Sequence, residues 1–137
     1  MTDKKAVKGL ILLLLFSSFA FAKECPSIDE DFISYYGALK DGPILGLKAS
    51  ISGAKKDRIL CSSESCGSGG CECALYVEVD NCLTRVLEFR GSHKVLGEKA
   101  DGMPLIEVIK KGDAIAPTSM KTFIWNKDRR KYVEKSK

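Results

Sequence analysis

The sequence predicts an α+β domain, an N-terminal helix packed on a small antiparallel meander sheet and stapled by disulfides. Three observations predict it. One stretch of helical period opens the region beyond residue 22, and only short strand-like stretches separated by turn residues follow it. All six cysteines lie in that region. The first 22 residues read as a secretory leader, which sets the redox compartment in which those cysteines act.

The leader has its three expected parts. Lys4, Lys5 and Lys8 form a positive start, an apolar run extends from Leu10 to Phe16, and Ala20-Phe21-Ala22 supplies the small-residue cleavage pattern. The apolar run falls short of the roughly 20 residues that span a bilayer. Cleavage after Ala22 leaves residues 23–137 as one small domain of 115 residues. Cys25 raises the possibility of lipid attachment, but Lys23 and Glu24 put charges where a lipoprotein cleavage site needs apolar and small residues. The expectation is therefore a periplasmic or secreted protein with no stable membrane anchor. Of the formal charge of +4, the leader carries +2, so the exported part holds +2. That near balance argues against a dedicated nucleic-acid binder, which usually carries a concentrated basic patch.

Ser27-Ile28-Asp29-Glu30 is a capping box, and three acids in the first turn complement the helix dipole. Ile28, Phe32, Ile33, Tyr36 and Leu39 follow at helical spacing, and Gly42-Pro43 ends the segment, so a helix is predicted over residues 28–40. Residues 44–51 are apolar and suit a strand or a chain crossing the core. Residues 52–57 are a polar connector, and Arg58 opens strand-like material. Residues 73–79 and 83–89 form two arms of a hairpin around Asp80-Asn81, a pair that tolerates positive φ. Leu75, Val77 and Val79 alternate strictly, whereas Val86-Leu87 interrupts the alternation of the second arm, and Arg90-Gly91-Ser92 breaks the pattern. Residues 105–109 form a strand entered through Asp101-Gly102-Met103-Pro104 and closed by Lys111-Gly112-Asp113. Residues 122–125 and 131–133 flank a charged loop at 126–130.

Cys25, Cys61, Cys66, Cys71, Cys73 and Cys82 read as a disulfide framework. Cys66 and Cys71 bracket Gly67-Ser68-Gly69-Gly70, a turn flexible enough to bring them within bridging distance. Cys61 and Cys73 flank that turn on segments able to run antiparallel. Cys25 and Cys82 then remain, and their bridge would tie the helix to the hairpin. Four cysteines within 13 residues can also hold zinc or copper(I), but their spacing, C-x4-C-x4-C-x-C, lacks the paired C-x2-C knuckles. No metal and no cofactor are expected. The glycines lack the Gly-Lys-Ser/Thr of a phosphate loop.

Cys66-Gly67-Ser68-Gly69-Gly70-Cys71 leading into a strand, Leu87-Glu88-Phe89, the Asp101–Ile106 turn into a strand, Thr122-Phe123-Ile124-Trp125 and Lys131-Tyr132-Val133 together resemble a group of uncharacterised exported bacterial proteins. In that group a Cys-Gly-x-Gly-Gly-Cys turn precedes a small antiparallel sheet. The resemblance covers residues 58–133, and its specific part is the Cys66–Cys71 turn. It implies export and the sheet. It supplies no catalytic residue and no ligand, and Cys73 and Cys82 lie outside its pattern.

Catalytic chemistry has few candidates. His93 is the single histidine, Ser92 beside it does not form a G-x-S-x-G elbow, and Glu72, Glu78 and Glu88 read as solvent-facing strand residues. Trp125 and Tyr132, with Arg129 and Arg130 between them, make an aromatic and basic tip able to meet an acidic partner. The expected function is a non-enzymatic binding or inhibitor-like domain acting on an envelope or extracellular macromolecule. The alternatives are a carboxylate-based envelope hydrolase and a cysteine metal-binding protein.

Overall fold

The computed structural model describes residues 22–36, 44–62 and 66–137. The predicted leader, apart from Ala22, lies outside the described residues, as does the part of the predicted helix beyond Tyr36. No helix among the described residues is long and apolar enough to cross a membrane.

Helix α1 (Ile28–Tyr36) begins where the capping box places it, with the Glu30 N–H donating to Ser27 Oγ at 3.5 Å. Phe32 is fully buried, and Ile28 and Tyr36 pack beside it. Ile33, expected in the same stripe, is 40% exposed. Ile28, Phe32 and Tyr36 are spaced by four and centre the buried face, so Ile33 lies about 100° around the helix from its middle.

The strands form two four-stranded antiparallel sheets rather than the single small sheet expected, and strand far outweighs helix. The first sheet holds β1 (Ile44–Lys48), β2 (Arg58–Ser62), β3 (Glu72–Val79) and β4 (Cys82–Arg90) in that order. The second holds β5 (Ser92–Ala100), β6 (Met103–Lys110), β7 (Ser119–Asn126) and β8 (Lys131–Glu134), also in chain order. Each sheet is a meander. Asp80-Asn81 and Asp101-Gly102 close two of the hairpins, all four residues having positive φ as a primed turn requires.

Gly91 is the corner between the sheets. It is the single residue separating β4 from β5, its φ is 116°, and a Cβ there would collide with the Ile109 carbonyl oxygen. Only glycine fits. What the sequence presents as a break is a strand changing sheets, which is how packed sheets turn corners.

The first sheet is the middle layer. Leu75 and Val77 of β3 face the second sheet, where they meet Ile106, Val108 and Tyr132. Ala74 and Tyr76, the alternate residues of β3, face α1 and pack with Phe32. A register shift between Leu75 and Tyr76 explains Val86-Leu87: Leu75 pairs with Leu87 while Tyr76 pairs with Arg85, leaving Val86 as the extra residue of a β-bulge. Both of these neighbours thereby join the inter-sheet core.

Polar groups tie the layers together. Tyr76 Oη donates to Asp31 at 2.7 Å, Tyr36 Oη donates to the Cys73 carbonyl at 2.7 Å, and Arg85 pairs with Asp31 at 3.2 Å. Burial raises the pKa of both tyrosines, so the hydroxyls keep their protons. Asp57, read from sequence as connector, is fully buried; it accepts the Ile51 and Ser52 N–H groups at 2.9 and 2.7 Å and fixes the β1–β2 turn.

Candidate functional site

The cysteines form three disulfides, Cys25–Cys82, Cys61–Cys73 and Cys66–Cys71, and none is free. Cys61 and Cys73 sit directly opposite each other in the β2–β3 ladder. Cys25–Cys82 ties the chain ahead of α1 to the start of β4. The Cys66–Cys71 bridge closes a miniature hairpin in which Gly67 and Gly70 exchange two backbone hydrogen bonds at 2.9 and 3.1 Å, with Ser68-Gly69 at the tip. Among the described residues no group of His, Cys, Asp and Glu is placed to hold a metal.

This small hairpin lies against the corner. Gly70, with φ 96°, meets Gly91 backbone to backbone so closely that a Cβ would not fit, and the Gly91 N–H donates to the Cys71 carbonyl at 3.2 Å. Its outer side forms one wall of a cleft of about 450 Å³. Arg90 comes from the end of β4, Lys110 from the end of β6, and Lys111-Gly112-Asp113 from the segment after it. Arg90 Nε donates to the Gly70 carbonyl at 3.3 Å, and Gly69 rests on the Lys110 stem, whose Cε would lie 3.1 Å from a Cβ at position 69. Neither Lys110 nor Lys111 enters an ion pair among the described residues.

The far wall is residues 113–119, held in shape by Asp113. Its Oδ1 accepts the Ile115 and Ala116 N–H groups, each at 2.8 Å, and its own N–H donates to the Ala116 carbonyl at 2.8 Å. The Ala116 and Ile115 N–H groups, with Lys110 nearby, hold the Asp113 carboxyl below its usual range. Gly112 N–H donates to Thr118 Oγ1 at 3.0 Å and closes the base of the loop. The cleft thus pairs three cations with one carboxylate already engaged by its own backbone. Beside it, sharing Arg90, Lys110 and Ser119, lies a second depression with Phe89, Val108 and Phe123 in its lining.

The predicted aromatic tip is built differently. Tyr132 is a core residue, 5% exposed, and its hydroxyl donates to the Pro104 carbonyl at 2.8 Å. Trp125 is half-buried against the inter-sheet core with its ring edge-on to Tyr132, centroids 5.5 Å apart. The strand register explains this: Trp125 and Tyr132 are paired across β7 and β8 and both turn inward. Arg129 and Arg130 remain exposed, and Arg130 pairs with Asp80 of the β3–β4 turn. This loop lies at the opposite end of β7 from the cleft. His93 is exposed on β5, 5.5 Å from the Phe89 ring, and loss of water on that side lowers its pKa, so it is neutral at pH 7.

Comparison with family models, with curated proteins and with solved structures returns no match.

The cleft residues Arg90, Lys110, Lys111 and Asp113 were not singled out from the sequence. The glycine turn lacks the Gly-Lys-Ser/Thr of a phosphate loop in sequence. The lysines beside it come from the end of β6 and the segment after it, about 40 positions later, and that juxtaposition exists only in the folded chain.

Proposed function

We propose that the protein is an exported, non-enzymatic binding domain that captures an anionic group of an envelope or extracellular macromolecule in the cleft beside the Cys66–Cys71 turn. One observation carries this reading: Lys110 and Lys111, with no ion pair among the described residues, stand with Arg90 around a disulfide-closed glycine turn. Lys110 and Lys111 focus a positive potential on the cleft, and an anion there relieves it. The Cys66–Cys71 bridge fixes one wall and the Asp113 hydrogen bonds the other before the ligand arrives, which lowers the ordering cost of binding. The disulfides fit an oxidising compartment, and that compartment supports a periplasmic or secreted site of action.

The hydrolase alternative needs two facing carboxylates. Among the described lining residues the cleft carries one, Asp113, and its oxygen Oδ1 is occupied by backbone N–H groups. The resemblance of the Cys66–Cys71 turn adds no ligand to the reading.

The test is titration of the exported form with soluble polyphosphate at low and high salt. Wild type is expected to bind with salt-sensitive affinity, and the double variant Lys110→Glu, Lys111→Glu to lose at least about tenfold, with an unchanged melting temperature because both side chains are at the surface. Equal binding by the double variant, or none by wild type, contradicts the proposal.

A further inference from the structure

We infer that the loop forming the far wall of the cleft is a membrane-docking finger, and that the anionic group taken by the cleft is the phosphate of an acidic lipid headgroup. This rests on the reading of the cleft as an anion site and names the surface that presents the anion. The independent observation is Ile115, which is 96% exposed, more than any other large apolar side chain exposed among the described residues. It stands at the tip of Ala114-Ile115-Ala116-Pro117, a run exposed throughout.

This exposure is built in. Asp113 holds the tip through the Ile115 and Ala116 N–H groups at 2.8 Å, and the Gly112–Thr118 contact at 3.0 Å closes its base. Lys110 and Lys111 precede the tip and line the cleft at the base of the loop, so two cations are set back from an apolar point, while Lys121 beyond it is paired with Glu134 at 2.8 Å. The same segment lines the cleft through Asp113, Ala116 and Pro117. An apolar point beside a pair of lysines is complementary to a layered partner whose negative charge lies at the surface and whose interior is hydrocarbon. An acidic bilayer has that layering. A single inserted isoleucine gives weak, reversible attachment.

The experiment is co-sedimentation of the exported chain with vesicles of phosphatidylcholine, alone or mixed with phosphatidylglycerol, run beside soluble polyphosphate titration. Wild type is expected to sediment with the mixed vesicles only. Ile115→Ser is expected to reduce that capture about tenfold while leaving polyphosphate affinity and melting temperature unchanged. Lys111→Glu is expected to reduce both, by about fivefold for vesicles. Vesicle capture by Ile115→Ser equal to wild type overturns the finger and leaves the cleft standing. Polyphosphate binding without vesicle capture also overturns the lipid assignment and points to a soluble polyanion or an acidic protein. Loss of both in wild type removes the cleft reading as well.

Discussion

Gly91 carries the change of sheet on one residue. With φ at 116° and the Ile109 carbonyl oxygen where a Cβ would go, an alanine there meets strain and a backbone collision together. Gly91→Ala is expected to destabilise the fold by about 3 kcal/mol, measured by urea unfolding, and to loosen the glycine turn that rests on it. Asp113 acts at the same scale on the cleft wall. Its folded pKa lies below the ordinary value of 3.8, so folding of the loop draws on the ionised form. That contribution is complete above the ordinary value and disappears as the pH falls through the lowered one. Protection of the Ile115 and Ala116 amides, measured against the intrinsic exchange rate at each pH, is expected at neutral pH and is expected to be lost once the pH drops below that range. Protection unchanged across it would mean the loop does not depend on Asp113. Neither role is visible in sequence: Gly91 looks like a strand terminator, and Asp57 and Asp113 look like ordinary polar loop residues until their backbone partners are known.

Among the elements, α1 depends on its bridge. It is nine residues long, too short to persist alone, and it holds the outer face of the first sheet through Phe32 and Tyr36. The Cys25–Cys82 bridge closes a loop with a sequence separation of 57, which in the chain-entropy model contributes about 4 kcal/mol. The paired change Cys25→Ser, Cys82→Ser is expected to lower the melting temperature and release α1 first, seen as lost helical circular dichroism ahead of the sheet transition. The capping box and the Asp80-Asn81 turn made α1 and the β3–β4 hairpin legible. Bridge partners followed from the glycine turn and from strands that flank it. β5 was not legible, because it is an edge strand exposed along most of its length and carries no alternation. Missing it hid the second sheet. Val86-Leu87 looked like a fault in the pattern because a bulge moves one residue out of register, and sequence does not locate bulges.

At the scale of the whole molecule, two meanders and a helix leave their polar ends in different places. The charged loop at 127–131 stands out in sequence because four of its five residues are cations. The cleft does not, because Arg90, Lys110 and Lys111 come from two strands and a connecting segment and meet only after the chain turns at Gly91. Net charge is no guide either, since a balanced surface can still concentrate cations at one end. The central claim is that this end, and not the loop at 127–131, takes the anion. The most direct measurement is amide chemical-shift mapping of the isotopically labelled exported chain during titration with soluble polyphosphate. The account predicts saturable shifts at Gly67, Ser68, Gly69, Lys111 and Gly112 that fade with salt. Shifts confined to residues 127–131, with the glycine turn unmoved, would contradict it.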